Sequence, residues 1–296
     1  MTAQAFAALD ASLNALGLHP TEVDQLIAIA LNEDLRDGPD VTTAATVEPT
    51  VIGTAAIVAR EPGVLAGVSI ALAVFDHVLG GDVAVLDQLP DGSPLQPGTA
   101  ALRVRGRVAG LLTAERSALN LITHLSGVAT ATRRWVDAVA GTGATIRDTR
   151  KTLPGLRALE KYAVRCGGGM NHRMSLGDAA LIKDNHVAAA GSVTAAVAAV
   201  RALRPDILVE VEVDTLDQLV EALDTGSKLI LLDNFSLADT VTAVRRAAAY
   251  PGVQLEASGG LTLARAREVA ETGVNFIAVG ALTHSSPALD LGLDLL

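Results

Sequence analysis

Early in the chain, Val23, Leu26, Ile27, Ala30 and Leu31 recur at helical spacing and predict a helix over residues 21–34, with Thr21 as its N-cap. The polar, turn-rich stretch 33–43 reads as an ordinary connection rather than a ligand contact. Strand-like runs follow at 54–59, 83–86 and 100–104. They alternate with turns at Glu61-Pro62-Gly63, Pro90-Asp91-Gly92 and Gln96-Pro97-Gly98, and with a helical stretch at 67–79. This mixture predicts a small α+β domain. Residues 111–128 then place Leu111, Leu112, Leu119, Leu121, Ile122 and Leu125 mostly on one side of a long helix. A second helical stretch over 135–139 stops at Gly141-Thr142-Gly143, and the domain boundary is expected around this helix pair.

Beyond Gly143 the pattern becomes a repeated strand, loop, helix. Strands are predicted at 144–147, 179–182, 207–213, 228–232, 253–256 and 276–279, with helices at 156–164, 193–203, 216–223, 237–249 and 263–271. Alternation of this kind gives parallel strands joined by right-handed crossovers, in either a barrel or an open doubly wound sheet. Charged or special residues mark nearly every strand's C-terminal end: Asp148 and Arg150, Lys183 and Asp184, Glu212 and Asp214, Asp233 and Asn234, Ser258 to Gly260, and Gly280. A barrel gathers those ends at one mouth, so a (β/α) barrel with fewer than eight strands is favoured.

Composition removes several classes. A chain of 296 residues can bury a full core as one large domain or as two, and two is the expectation. Hydrophobic residues make up 50% and mean hydropathy is +0.38, but the excess lies in Ala, Val and Leu of amphipathic runs. The most apolar window, 64–75, ends at Asp76 and His77, well short of a membrane span. The N-terminal stretch lacks a basic region leading into an apolar one, so no secretory signal is expected. A formal charge of -10 and 2% aromatic residues argue against a nucleic-acid groove. Cys166 is the single cysteine, which excludes an internal disulfide and fits a reducing, cytoplasmic setting. It reads as a small residue beside a glycine turn rather than a thiolate next to Arg165. The marks of nucleotide hydrolysis, serine hydrolysis and structural zinc (GxxxxGK[ST], GxSxG, CxxC) are missing, and His172 and His186 are too far apart for a helical metal pair.

Against the acidic background, the span 148–186 concentrates Arg150, Lys151, Arg157, Lys161, Arg165, His172, Arg173, Lys183 and His186 beside the turns Lys151-Thr152-Leu153-Pro154-Gly155 and Gly167-Gly168-Gly169. Cationic side chains and turn N–H groups converging there predict a pocket for a small, multiply anionic molecule. Glu212 and Asp233, each closing an apolar strand, have three open readings: a divalent cation held through water, sugar hydroxyls, or salt bridges across the barrel. A strand's period of two puts Glu210 on the same face as Glu212, where support of Lys183 or Lys151 is the expectation. Glu256-Ala257-Ser258-Gly259-Gly260-Leu261 ends a strand and opens a helix, and with the segment 278–284 one unit later it suggests a phosphate cradle. His284 is either a further donor there or a surface residue. Arg116, by spacing alone, is a solvated helix residue.

The segments DTRKTLPGLRALEKYAV, GGGMNHRMSLGDAALIKDNH, EVEVD, LLDNF, EASGGL and AVGALTH, in this order, together with EDLRDGPDVTT and LLTAERSALNLITHLSG, resemble the quinolinate phosphoribosyltransferase family over essentially the whole chain. The resemblance implies an α/β protein with an N-terminal α/β sandwich domain and a C-terminal incomplete (β/α) barrel. The matching bounds here are 1–120 and 121–284, with the tail 285–296 packing back on the first domain. It implies transfer of phosphoribosyl from phosphoribosyl pyrophosphate to quinolinate with Mg²⁺, giving nicotinate mononucleotide, pyrophosphate and carbon dioxide for NAD synthesis. It also implies a homodimer with shared sites, in which Arg116 reaches the neighbour's quinolinate. Arg150, His172, Arg173 and Lys183 would neutralise the two carboxylates. Lys151 would absorb pyrophosphate charge, Glu212 and Asp233 would hold ribose hydroxyls or metal-bound water, and Ser258, Gly259, Gly260, Gly280 and His284 would hold the 5′-phosphate. Three other readings stand beside it: a phosphoribosyltransferase for nicotinate or another pyridine acid, a non-catalytic anion-binding barrel, and an aldolase-type barrel with Lys183 as Schiff-base lysine.

Overall fold

The computed structural model describes residues 3–296; the first two residues of the stretch read for a leader lie outside them. The chain divides into two compact units, one of 1–131, 153–168 and 285–296, the other of 132–152 and 169–284.

The first unit begins with α1 (Ala3–Ala15), α2 (Pro20–Leu35) and α3 (Val41–Thr46). The sequence pattern finds the second but misses the third, because 33–43 looks like a polar loop. Asp40 decides it locally, since its carboxylate accepts the Thr43 N–H at 3.0 Å and starts the turn. There follow β1 (Ile52–Ala59), β2 (Gly63–Val64), α4 (Val68–Leu79), β3 (Ala84–Gln88), β4 (Pro94–Leu95) and β5 (Ala100–Arg107). Helix α5 (Val108–Ala138) is continuous over 31 residues, where two stretches are expected from the sequence. Gly127 within it is forced by packing, because a Cβ there would lie 2.1 Å from the Pro287 carbonyl oxygen.

The second unit starts with β6 (Thr145–Arg147). Helix α6 (Arg157–Cys166), expected as the first crossover of the barrel, clusters with the first unit instead. The reason is visible within that unit: Tyr162 of α6 donates to Asp91 at 2.5 Å, and Glu160 meets His124 of α5 at 2.9 Å. The barrel continues with β7 (Ala179–Ile182), α7 (Asp184–Ala190), α8 (Val193–Leu203), β8 (Leu208–Val213), α9 (Leu216–Asp224), β9 (Leu229–Asp233), α10 (Leu237–Ala247), β10 (Gln254–Ser258), α11 (Ala266–Ala270), β11 (Phe276–Ala278) and α12 (Ala281–His284). Strand β12 (Leu291–Leu295) pairs antiparallel with β1, completing the sheet β12-β1-β5-β3 of the first unit.

The six strands of the second unit are parallel in the order β6-β11-β10-β9-β8-β7. Apart from the jump from β6 to β7, every crossover joins neighbours; β6 and β7 are the edge strands, and the outer side of β6 carries only an isolated parallel bridge from Arg147 to Met170. The result is an open barrel rather than a doubly wound sheet, in which the strand order would reverse at a switch point. Central strands are nearly continuous apolar runs, as in Leu229-Ile230-Leu231-Leu232, because helices cover them outside and side chains fill them inside. Ser192, Thr215 and Ser236 cap α8, α9 and α10 by accepting N–H groups three residues on, each cap contributing about 1 kcal/mol.

Candidate active site

Strand register decides which side chains meet at the barrel mouth. Ile182 pairs with Val211, so Lys183 comes to lie beside Glu212, with Nζ 2.5 Å from Oε2. Asp233 pairs with Ser258. Next to it Asn234 holds a left-handed conformation, φ 55°, donates its side-chain amide to Asp233 at 2.7 Å and its N–H to the Ser258 carbonyl at 2.9 Å. These groups open onto a cavity of about 390 Å³. Arg150, Lys151, Arg173 and Lys183 supply its positive charge, and Glu212 and Asp233 its acidic side. A larger cavity of about 530 Å³ lies against β7, α7 and α8, but its walls are mostly alanine, valine and leucine; polar chemistry converges in the smaller one.

The cationic groups are only partly satisfied within the protein. Arg150 and Arg173 each have a buried Nε without a hydrogen-bond partner, while Arg173 donates one Nη to the Ala179 carbonyl at 2.8 Å. Partial burial, and then repulsion from Arg150, lower the affinity of the Arg173 guanidinium for its proton. An anion between the two arginines would relieve that repulsion and take the open donors. Lys183 is 44% exposed against 11% for Glu212, so their ion pair sits at a solvent margin where its net worth is small and its lysine is easily drawn away.

Glycines shape the corner where the sequence places a phosphate cradle. A Cβ on Gly280 would lie 2.9 Å from Lys151 Cδ, 3.4 Å from Thr149 Oγ1 and 3.7 Å from His284 Nε2, so these side chains gather around the bare glycine and a side chain there would push the Lys151 stem aside. Thr283 donates to the Lys151 carbonyl at 2.7 Å and Lys151 N–H donates to Thr149 Oγ1 at 3.0 Å, which fix the lysine's main chain. Gly259, at φ +93°, leaves no room for a Cβ, which would lie 2.3 Å from Asn234 Oδ1. The segment after it does not open directly on an α-helix, as the sequence suggests. A 3₁₀ turn over Leu263–Arg265 intervenes before α11.

Beneath the cavity lies a buried charged layer. Arg147 is stacked on Phe276, 4.7 Å from the ring centre, and donates to Glu256. His172 Nε2 is 2.5 Å from Glu210 and 3.9 Å from Glu256, so Glu210 supports His172 and not Lys183 or Lys151 as expected. Burial first, and then the Glu210 charge, raise the pKa of Glu256 against the pull of Arg147. Among the described residues, His172, Glu210 and Glu256 have potential ligand atoms within 4.8 Å of one another. Arg147 and the imidazole already meet these carboxylates, which makes the group an internal charge network rather than an ion cage.

Of the residues singled out from the sequence, Arg150, Lys151, His172, Arg173, Lys183, Glu212, Asp233 and Ser258 line the cavity. His172 is 7% exposed, and its Nδ1 accepts the Arg173 N–H at 2.8 Å, so both ring nitrogens are engaged inside the protein. Arg116 is exposed on α5 and is not among the lining residues. Cys166 belongs to the first unit, where burial pushes its thiol up to about 11, in keeping with the inert reading. Thr149 and Glu256 also line the cavity and were not singled out. Glu256 had a signal, an acid two residues before Ser258 in an apolar strand, and hence on the same face.

Fold and cavity together define an α/β protein whose open parallel barrel carries a cationic, carboxylate-flanked cavity at its mouth. Residues 40–126 match the model of the quinolinate phosphoribosyl transferase N-terminal domain, and 128–294 that of the C-terminal domain. The chain is 59% identical over 268 residues to nicotinate-nucleotide pyrophosphorylase [carboxylating] of Mycobacterium leprae, covering 90% of this chain and 94% of that protein. It is 40% identical over 293 residues to the human protein of the same name, covering 97% and 96%. The structure of nicotinate-nucleotide pyrophosphorylase from Francisella tularensis superposes with a TM-score of 0.89 at 38% identity, covering 93% of this chain and 96% of that one. The chain belongs to the quinolinate phosphoribosyltransferase family.

Proposed function

We propose that this chain transfers the phosphoribosyl group of phosphoribosyl pyrophosphate to the ring nitrogen of quinolinate, with decarboxylation, giving nicotinate mononucleotide, pyrophosphate and carbon dioxide in NAD biosynthesis. One observation carries the reading: Arg150, Lys151, Arg173 and Lys183 line a single cavity together with Glu212 and Asp233. The unpartnered Nε groups of Arg150 and Arg173, with Lys183, suit the two carboxylates of a pyridine diacid. His172 backs Arg173 from below. Lys151, Ser258, Gly259, Gly260, Gly280 and His284 suit the phosphate groups, and Glu212 and Asp233 the ribose hydroxyls and the positive charge that develops at C1. When the diacid draws Lys183 to itself, Glu212 is released toward the sugar. Loss of the 2-carboxylate needs no strong base, because the alkylated ring takes up the electron pair and is then protonated.

Glu212 and Asp233 offer hard oxygen donors, each with one oxygen already taken by Lys183 or Asn234. That is too few for an all-protein cage and fits Mg²⁺ held mainly by phosphate oxygens and water, where it would offset pyrophosphate charge. We further assign the chain to a homodimer in which Arg116 of the partner subunit completes the diacid site, and, on the single cysteine, to the cytoplasm.

Product analysis tests the reaction: purified protein with phosphoribosyl pyrophosphate and Mg²⁺ is given quinolinate in one tube and nicotinate in another. Nicotinate mononucleotide with equimolar carbon dioxide from quinolinate alone is expected. Turnover of nicotinate would overturn the diacid assignment, and silence in both would favour a binding protein.

A further inference from the structure

Glu210 lies one step deeper in the barrel than Glu212 on the same face of β8, and is 2% exposed. Its Oε2 stands 2.5 Å from His172 Nε2. On the other side of that ring, Nδ1 is 2.8 Å from the main-chain nitrogen of Arg173. A backbone N–H can only donate, so Nδ1 must present its lone pair, and the ring proton belongs on Nε2, facing Glu210. The competing acceptor, Glu256, is farther, at 3.9 Å, and is held by Arg147.

The same loop is gripped at two successive N–H groups. Asp148 Oδ1 accepts from His172 N–H at 2.8 Å and its Oδ2 from the Asn171 amide at 2.5 Å, while the imidazole takes the N–H of Arg173. Beyond this point the Arg173 side chain has its Nη1 bond to the Ala179 carbonyl and an unpartnered Nε, so where its guanidinium lies depends on where its main chain is fixed.

We propose that Glu210 is a positioning residue: by accepting the Nε2–H of His172 it holds the tautomer whose Nδ1 grips the Arg173 N–H, and so sets the Arg173 guanidinium for a substrate carboxylate. The last step rests on the reading that Arg173 receives the pyridine diacid. The tautomer itself does not. A proton on Nδ1 would set a second donor against the Arg173 N–H.

The test uses the full-length protein labelled with ring-¹⁵N histidine, free of substrate, with the His172 signals identified by their loss in His172→Gln. The wild type is expected to carry its proton on Nε2 alone at neutral pH. Glu210→Gln, whose side-chain carbonyl still accepts, is expected to keep that pattern and a quinolinate KM within about threefold of wild type. Glu210→Leu is expected to lose the tautomer and raise the quinolinate KM about tenfold, with the KM for phosphoribosyl pyrophosphate within about twofold. A proton on Nδ1, or on both nitrogens, in the wild type overturns the proposal. So does a Glu210→Leu variant that raises both KM values alike or neither, because a merely structural role would not single out one substrate. Should Glu210→Leu not fold, the wild-type spectrum and Glu210→Gln decide. Absence of quinolinate turnover by the wild type would instead count against the catalytic reading and leave the spectrum to judge the tautomer.

Discussion

At the scale of single residues, the site is made by donors the protein itself does not satisfy. Arg150 has a buried Nε without a partner beside a second guanidinium, an arrangement that costs stability unless an anion arrives. Arg150→Ala should therefore leave the fold intact while kcat/KM for quinolinate falls about a hundredfold or more, as expected on losing a charge-assisted pair. Steady-state kinetics beside a thermal melt check this, and near-normal turnover would remove Arg150 from the site. Much at this scale was legible in the sequence, because a dense basic span on an acidic chain is a departure from ordinary surface mixing. The partners were not. Glu210 could be placed on an inward face by its period, yet only the folded segment between α6 and β7 brings His172 within reach of it.

At the scale of elements, strand ends and the turns after them line the cavity. The turn after β10 packs so closely on the end of β9 that any side chain at Gly259 must displace Asn234, which in turn holds Asp233. Gly259→Ala should raise the KM for phosphoribosyl pyrophosphate about tenfold or more and change that for quinolinate much less. Equal effects on both would detach this turn from the phosphate corner. Strand positions in the barrel half follow the apolar runs closely, since the central strands are buried on both sides, whereas α7, which buries none of its residues, has no apolar period to announce it. The misses have local causes. Asp40 nucleates α3 inside an apparent loop, and the second stretch at 135–139 merges with α5 because no residue between them breaks the helix.

For the whole molecule, buried charge couples stability to pH. The carboxyl of Glu256 titrates above the ordinary glutamate value of 4.5 in the folded protein, by burial and then by the Glu210 charge. A folded pKa raised above the unfolded one gives a contribution fully present below the unfolded value and lost as pH rises through the folded value. The stability of wild type relative to Glu256→Gln should thus decline from about pH 4.5 upward and level off once the buried carboxyl has ionised. Urea unfolding across that range measures it, and a flat difference would contradict the raised value. At the level of assembly, mixing Arg116→Ala with Arg150→Ala subunits should restore part of the activity that each variant lacks, as the shared-site proposal requires; no recovery would confine each site to one subunit. By itself the sequence determined the alternation of strands and helices and placed polar residues at the strand ends that line the cavity, because hydrophobic period and local turn chemistry are properties of neighbouring residues; the family was legible in its motif segments. The tertiary structure alone decided that α6 packs with the first unit, that β12 closes the sheet beside β1, and that Glu210, His172 and Arg173 form one chain of contacts. Those outcomes depend on pairs far apart in the chain, whose meeting is set by register and packing rather than by any local pattern.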